Sequence, residues 1–521
     1  METNQNYLGQ KGYTLIKNQI TIEKQKQIRT DLTIKPRIQG APMGTNNLSF
    51  PAYRESTNKM YVPHYYGVEH FGKPAKYKIP EGASINVLFQ GTLRSKQEIV
   101  SETYLNYVIK NNIGGGLLEL PCAFGKTVIA LHIISQLKKK TFIIVHKEFL
   151  MNQWIERINE FLPNARIGKI QGQIIDIDDK DIVIGMLQSL SMKEYPPSTF
   201  ESFGLTIIDE VHHISSEVFS NTLFKLVTKY MLGLSATMER KDGTTKVFKM
   251  FLGDVIFKGK RDEEHKVTVR AIEYKVNDDE FNETKLDYRG NPAYSSMISK
   301  LCEYNRRSEF ILKVVTDMFL ENASQQIMIL AHNKNLLKYL HDAILHRNIA
   351  TVGYYIGGMK EQALKETEGK QIVIATYSMA AEALDIKTLT TLIMATPKTD
   401  IEQSVGRILR VKHGNPVVVD IMDSHNLFKN QWKKRKTFYK RENYKIIYNT
   451  STNYTTDISK WNVLYEPKMS GSYIKPSRTI SLKSNSSTDK SITNESDSEN
   501  DLKDKDKLCG KCLLSVKHKK L

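Results

Sequence analysis

The sequence predicts an α/β protein with two parallel-sheet units in tandem, a small N-terminal accessory domain and a disordered C-terminal tail. Three observations predict it. Short Val/Ile/Leu-rich runs alternate with helical patterns up to about residue 258, the same alternation restarts after residue 300, and beyond Pro467 the composition turns to Ser, Asn, Asp and Lys. Apolar runs separated by helices are what a parallel sheet with crossover connections requires.

Residues 1–88, mixed polar and aromatic around YVPHYYGVEHFGKP, read as an accessory region with no assignable chemistry. Over residues 89–260, FIIV, DIVIG, LTIID and YMLGLS read as strands. Residues 261–300, which open with the charged stretch RDEEHKVTVRAIEYKVNDDEFNETKLDYRGNP, read as a linker or insertion rather than core. Over residues 301–450 FILKVVTDMFL and NLLKYLHDAIL read as helices, QIMILAH, QIVIAT, LTTLIMAT and PVVVDIM as strands, and QWKKRKTFYKRENYK as a basic closing segment. Residues 451–521 form a C-terminal extension whose tail has too little apolar surface to offset its ordering entropy.

A formal charge of +18 and a pI near 9.3 favour a polyanionic partner, because Lys and Arg that neutralise phosphates release condensed counterions. Four cysteines in 521 residues cannot form a disulfide framework, which argues for a reducing compartment. The opening METNQNYLGQKGYTLIKNQI has no apolar targeting core, and no run approaches roughly 18 apolar residues. A soluble, non-secreted protein without membrane contact is expected.

The chemistry is concentrated in three segments. In LLELPCAFGKTVIALHII a strand runs through a tight turn into a helix opening near Lys126. Backbone N–H groups at such a turn cradle phosphates, Lys126 reaches the β/γ-phosphates, and the Thr127 hydroxyl is placed to hold Mg²⁺. The full phosphate-loop pattern is broken, since Leu120 stands where its first Gly would be. In LTIIDEVHH, Asp209 ends a buried strand where its carboxylate can hold Mg²⁺, and Glu210 is then available to orient and deprotonate water. An isolated DE pair would more simply be a strand-end turn. In QSVGRILR the spacing predicts Gln403, Arg407 and Arg410 near one another on one helix, where guanidinium groups stabilise charge developing on a γ-phosphate. A solvated basic helix is the plainer alternative. In this order, the three describe a nucleotide-driven motor.

On these segments the chain resembles the superfamily 2 helicases of the DExH kind, near the XPB-like branch and the transcript-release helicases of poxviruses and other large cytoplasmic DNA viruses. The resemblance runs from about Leu93 to Asp420. It implies two RecA-like domains and an ATP-dependent helicase or translocase that uses ATP and Mg²⁺ on DNA or RNA. It also implies roles for individual residues. LRSKQ supplies Arg94 and Gln97 on the nucleotide, and Pro121, Cys122, Ala123, Phe124, Gly125, Lys126 and Thr127 form motif I. Asp209 and Glu210 belong to motif II, with His213 packing toward the SAT of motif III, Ser235, Ala236 and Thr237, which couples hydrolysis to strand movement. VHKEFLMNQW, with Lys147, Gln153 and Trp154, lies on the nucleic-acid side, as do the IQG ending in Gln171 and Gly172 and the MLQS ending in Ser189. ILAHNKNLL is similar to motif IV, and IATYSMAAEALDI to motif V, with Thr376 facing the strand and Glu382 to Asp385 near the nucleotide. QSVGRILR is similar to motif VI. Ala123 and Ala383 replace glycines usual in motifs I and V, and a methyl group there narrows the backbone range. Lys126, Asp209, Glu210, Arg407 and Arg410 are all present, so an active ATPase is expected.

The family also implies a monomer in the host cytoplasm or the virion, with nucleic acid and RNA polymerase or other transcription machinery as partners. Two rival functions are an ATPase that acts in transcript release without separating strands and a catalytically silent nucleic-acid scaffold. Two weaker signals remain. CGKCLLSVKHKK offers Cys509, Cys512 and His518 to zinc, but a structural site usually needs four ligands, so a free or redox-sensitive pair is the simpler reading. The basic run from Lys433 to Lys445, interleaved with Trp432, Phe438, Tyr439 and Tyr444, either tracks a phosphate backbone while its aromatics stack on bases or is a solvated helix with buried aromatics.

Overall fold

The computed structural model describes residues 5–36, 49–111, 114–121, 124–213, 216–238, 242–259, 266–382, 386–409 and 414–468. The tail beyond residue 468, with Cys509, Cys512 and His518, lies outside the described residues, as do Cys122, Ala123, Ala383, Asp385 and Arg410.

The accessory domain comprises β1 (Tyr7–Gly9), β2 (Gly12–Ile16), α1 (Ile22–Asp31), β3 (Arg54–Glu55), β4 (Lys59–Val62), α2 (His64–Phe71) and β5 (Lys76–Tyr77). Its sheet has the order β3-β4-β2-β1-β5, antiparallel except for the β1–β5 pair. Strand alternation turns Leu8, Tyr13, Leu15, Met60 and Val62 to one face, where all are buried. Helix α2 closes tightly over that face: a Cβ at Gly67 would lie 2.1 Å from the Tyr13 ring. This core is continuous with Leu117, Phe142 and Phe251 of the next unit, and the Tyr65 hydroxyl donates to the Gly115 carbonyl at 2.9 Å.

The first large unit contains α3 (Ser95–Asn111), β6 (Gly114–Glu119), α4 (Lys126–Leu137), β7 (Thr141–Val145), α5 (Glu148–Phe161), β8 (Ile167–Gln171), β9 (Ile174–Asp176), β10 (Ile182–Met186), α6 (Leu187–Met192), β11 (Leu205–Ile208), α7 (Ser216–Leu223), β12 (Tyr230–Ser235) and β13 (Val255–Lys258). The sheet order is β9-β8-β10-β7-β11-β12-β6-β13, parallel except at β8–β9. Every residue of β7, β11 and β12 is buried, because apolar side chains pack on both faces of the sheet. Ile85 and Val87, ahead of the expected boundary at residue 89, already belong to this core.

The second large unit corrects the sequence reading at one element. Residues Thr268–Tyr274, inside the expected linker, form β14, an interior strand. With β15 (Gln326–Ala331), β16 (Val352–Tyr355), β17 (Ile372–Thr376), β18 (Leu389–Met394), β19 (Val417–Asp423), β20 (Lys445–Thr450) and β21 (Asn462–Tyr465) it builds the order β16-β17-β15-β18-β19-β14-β20-β21. The charges that made β14 look like a linker are paired in place. Arg270 meets Glu321 through two 2.6 Å hydrogen bonds and Glu273 accepts from Tyr448, while Val269, Ala271 and Ile272 are buried. Strand β21 carries the sheet past residue 450, into what was expected to be extension.

The basic helix Asn426–Arg441 is resolved in favour of core packing. Tyr439 and Tyr444 are buried, and buried Arg435 grips Asp420 with two hydrogen bonds of 2.7 and 2.8 Å. Those two rings are not open to bases, while Trp432 and Phe438 are half-buried against the same core. No helix among the described residues is long and apolar enough to cross a membrane.

Candidate active site

Site residues gather at the carboxyl ends of the parallel strands, where an open α/β sheet forms its crevice. Their distribution follows sheet order. Lys126, Asp209 and Ser235 follow β6, β11 and β12, three adjacent strands, whereas Lys147, Gln171 and Ser189 follow β7, β8 and β10, the adjacent three. One half of the edge therefore holds the nucleotide candidates and the other half the strand candidates, with β7 beside β11 at the border.

The phosphate loop leaves β6 through Pro121 and Phe124 and enters α4 at Gly125. Gly125 has φ of 91°, and a Cβ there would sit 2.3 Å from Gln97 Nε2, so only glycine fits. Arg94 and Gln97 both donate to the Phe124 carbonyl, at 2.6 and 2.9 Å, and Gln97 Oε1 accepts from the Arg94 backbone at 3.0 Å. The upstream motif thus braces the loop from behind. Thr127 follows Lys126 in the first turn of α4.

Lys126 Nζ donates to Glu210 Oε1 at 2.7 Å. Glu210 adopts φ of 48°, a conformation that costs a non-glycine residue energy and recurs at functional turns. Asp209 is buried, its Oδ1 accepting from the Glu210 backbone N–H and its Oδ2 from the Trp154 indole N–H, each at 2.9 Å. Burial, then the neighbouring Glu210 charge, raise the Asp209 pKa, while Lys126 opposes them.

Trp154 corrects the sequence reading: it does not face the strand. Only 1% exposed, it belongs to the buried stripe Leu150, Met151, Trp154 and Ile158 of α5, and because β7 neighbours β11 its indole reaches Asp209. That helical spacing was visible in FLMNQWIERI and marks Trp154 as an inward residue.

Of the two adjacent histidines, His212 makes a contact with the SAT segment, while the His213 side chain, for which that contact was expected, lies outside the described ones. Gln403 Nε2 lies 3.2 Å from His212 Nε2, His212 Nδ1 lies 2.6 Å from Ser235 Oγ, and the Ser235 hydroxyl donates to the Thr237 carbonyl at 2.5 Å. One neutral tautomer satisfies all three, with Gln403 donating to His212 and His212 donating to Ser235. Gln403 comes from the second unit, so this relay spans both. Ala236 lies within its final turn.

Arg407 opens a 3-10 turn, Arg407–Leu409, directly after the short helix Glu402–Gly406. Ile408 and Leu409 of that turn are buried in the core, and Arg410 lies outside the described residues.

Among the strand candidates, Gly172 N–H donates to Ser189 Oγ at 3.0 Å and Gln171 donates to Glu148 at 3.0 Å, bringing two of the expected segments together. Lys147 precedes α5, which carries Gln153, and burial lowers the Lys147 pKa. Thr376 ends β17, 3.3 Å from Ser378 Oγ. Between the units, Asn152 donates to Glu361 at 3.1 Å and Lys365 pairs with Glu156 at 3.0 Å.

Residues 90–240 match the family model described as the Type III restriction enzyme, res subunit. The chain is 37% identical over 451 residues to the proposed ATP-dependent RNA helicase L396 of Acanthamoeba polyphaga mimivirus, covering 84% of this chain and 85% of that protein. The chain belongs to the superfamily 2 helicases of large DNA viruses. To the proposed ATP-dependent RNA helicase QP509L of African swine fever virus this helicase is 27% identical over 395 residues, covering 71% of this chain and 76% of that one. A solved structure of S. cerevisiae Dbp5 bound to RNA and ADP BeF3 aligns with 68% of the helicase and 89% of that chain, at 13% identity and a TM-score of 0.49. Membership makes the protein an ATP-dependent helicase, as its motif order predicted.

Proposed function

We propose that this helicase couples ATP hydrolysis at β6, β11 and β12 to unwinding of, or movement along, an RNA or DNA strand held at β7, β8, β10 and β17. The observation that carries the reading is the Gln403–His212–Ser235 relay, which joins the two units through the residue next but one to Glu210. A change at the γ-phosphate is then felt in both units.

In this reading the phosphates of ATP draw Lys126 away from Glu210, and the released carboxylate becomes the base that orients and deprotonates the attacking water. Arg407, with Arg410, stabilises the charge that develops on the transferred phosphoryl group. Thr127 and Asp209 are the residues that would hold Mg²⁺. Burial and the neighbouring Glu210 charge disfavour the Asp209 carboxylate, and a divalent cation would supply the positive charge that favours it while neutralising the phosphates. Lys147, Gln153, Gln171, Gly172, Ser189 and Thr376 contact the backbone of the strand, and Arg94, Gln97 and Asp385 complete the nucleotide site.

The similarity to viral helicases supports a place in viral transcription or nucleic-acid metabolism. We further propose a monomer in the host cytoplasm or virion, with RNA polymerase or other transcription machinery as protein partner. Strand displacement on matched RNA and DNA duplexes with single-stranded overhangs, using wild type and Lys126→Ala, tests the function. ATP-dependent displacement that Lys126→Ala abolishes is expected. Stimulated hydrolysis without displacement would instead select transcript release or remodelling.

A further inference from the structure

The accessory domain has one roofed sheet face and one open face, and the open face has a composition of its own. Across the register, Arg54 stands opposite Tyr61, Tyr61 opposite Thr14, Thr14 opposite Tyr7, and Tyr7 opposite Lys76. Opposed residues share a face, so one row crosses all five strands as Arg-Tyr-Thr-Tyr-Lys. Lys59 and Lys78, two residues along from Tyr61 and Lys76, lie on the same face.

The lysines cluster on the tyrosines. Lys78 Nζ lies 4.4 Å and Lys59 Nζ 5.5 Å from the Tyr7 ring centre, and Lys11 Nζ lies 5.5 Å from that of Tyr61. Lys11, Lys76 and Lys78 are exposed, Lys59, Tyr7 and Tyr61 are half-buried, Thr14 is buried between the two tyrosines, and no carboxylate among the described residues pairs with any of the four lysines. Three cations without a carboxylate partner thus lie over two rings, with Lys76 at the end of the row as a fourth.

At the inner end of the row, Arg54 hydrogen-bonds Asn221 of α7 and its guanidinium lies 5.3 Å from the Phe224 ring centre. Helix α7 in turn packs on α6, which carries Ser189. The row therefore begins next to a strand-contacting segment of the first large unit and runs outward to Lys76.

We propose that this open face is a second binding site for single-stranded nucleic acid, with the lysines on its phosphates and Tyr7 and Tyr61 stacking on its bases. Lysines following a backbone beside aromatic rings are how sequence-tolerant single-strand sites are built. The proposal rests on the strand path placed above at Ser189, which the face extends.

The test uses the full chain, fluorescence anisotropy, and single strands of roughly 8 nucleotides and roughly three times that length, since one small domain covers about 4–16. Parallel DNA and RNA arms separate the two sources of the shared phosphate-and-base chemistry. The variant Lys59→Glu/Lys76→Glu/Lys78→Glu should weaken the long strand at least about tenfold and lower its salt slope by about 2, since each phosphate contact on a single strand contributes about 0.7. Short-strand affinity and ATPase activity should stay at wild-type values. Photocrosslinking of a long 5-iodouridine strand to wild type should map to Tyr7 or Tyr61. Unchanged long-strand affinity in the triple variant, or crosslinks confined to the two large units, would overturn the proposal. Failure of wild type to bind the short strand would count against the motor reading instead.

Discussion

Trp154→Phe removes one hydrogen bond from the centre of the proposed site. The indole N–H lies 2.9 Å from Asp209 Oδ2, and both side chains are buried, so no water replaces the lost donor. A hydrogen bond to a charged acceptor contributes about 1.5–3 kcal/mol. If Asp209 holds the metal in the orientation this bond sets, the same energy appears in metal binding, as about a 10- to 100-fold higher MgCl₂ requirement. Loss of ring volume adds about 1 kcal/mol of plain destabilisation. ATPase rate against MgCl₂ at saturating ATP, measured beside thermal melting, separates the two effects. Met151→Leu, on the same buried stripe of α5, is the control, and it should shift melting without moving the MgCl₂ midpoint. A destabilised Trp154→Phe with the wild-type MgCl₂ midpoint would refute a positioning role.

Gln403→Ala should lower strand-stimulated turnover about tenfold, the worth of one hydrogen bond in a transition state, and His212→Ala in that background should add little. Additive losses in the double variant would contradict a shared relay. Gly125→Ala combines an unfavourable φ with a 2.3 Å clash against Gln97, and should weaken ATP binding by more than about tenfold in a nucleotide titration. His64 and His332 are held neutral, burial pushing each pKa down to about 4. The unfolded chain then takes up protons first, so stability is complete above the ordinary value of 6.5 and is lost as pH falls toward 4, up to about 2 kcal/mol per histidine by about pH 5. Urea midpoints at about pH 7.5 and about pH 5 should differ, and the difference should shrink in His332→Asn. Equal midpoints would exclude the effect.

The sheets were legible where burial on both faces writes a continuous apolar run, as in FIIV, LTIID and QIMILA. Strand β14 was not, because its Arg270 and Glu273 find partners, Glu321 and Tyr448, that lie 51 and 175 residues away in sequence and leave no local trace. Arg435 is the same case: a cation in a basic run that pairs, buried, with Asp420. The phosphate loop and the acidic pair were legible because their chemistry depends on local spacing. That His212 reaches Ser235 depends instead on the tertiary packing of two separate segments, and residue types alone do not report it. Trp154 differs again. The resemblance assigns its whole segment to the strand side, whereas the helical period within that segment places this one residue inside.

In the proposed mechanism the nucleotide site and the strand site are coupled through the relay. The most direct measurement is steady-state ATP hydrolysis with no nucleic acid, with single-stranded DNA, with single-stranded RNA and with duplex. Hydrolysis that rises several-fold with at least one of these, and falls back toward the unstimulated rate in Gln403→Ala, is the predicted result. Equal rates under all four conditions would contradict it.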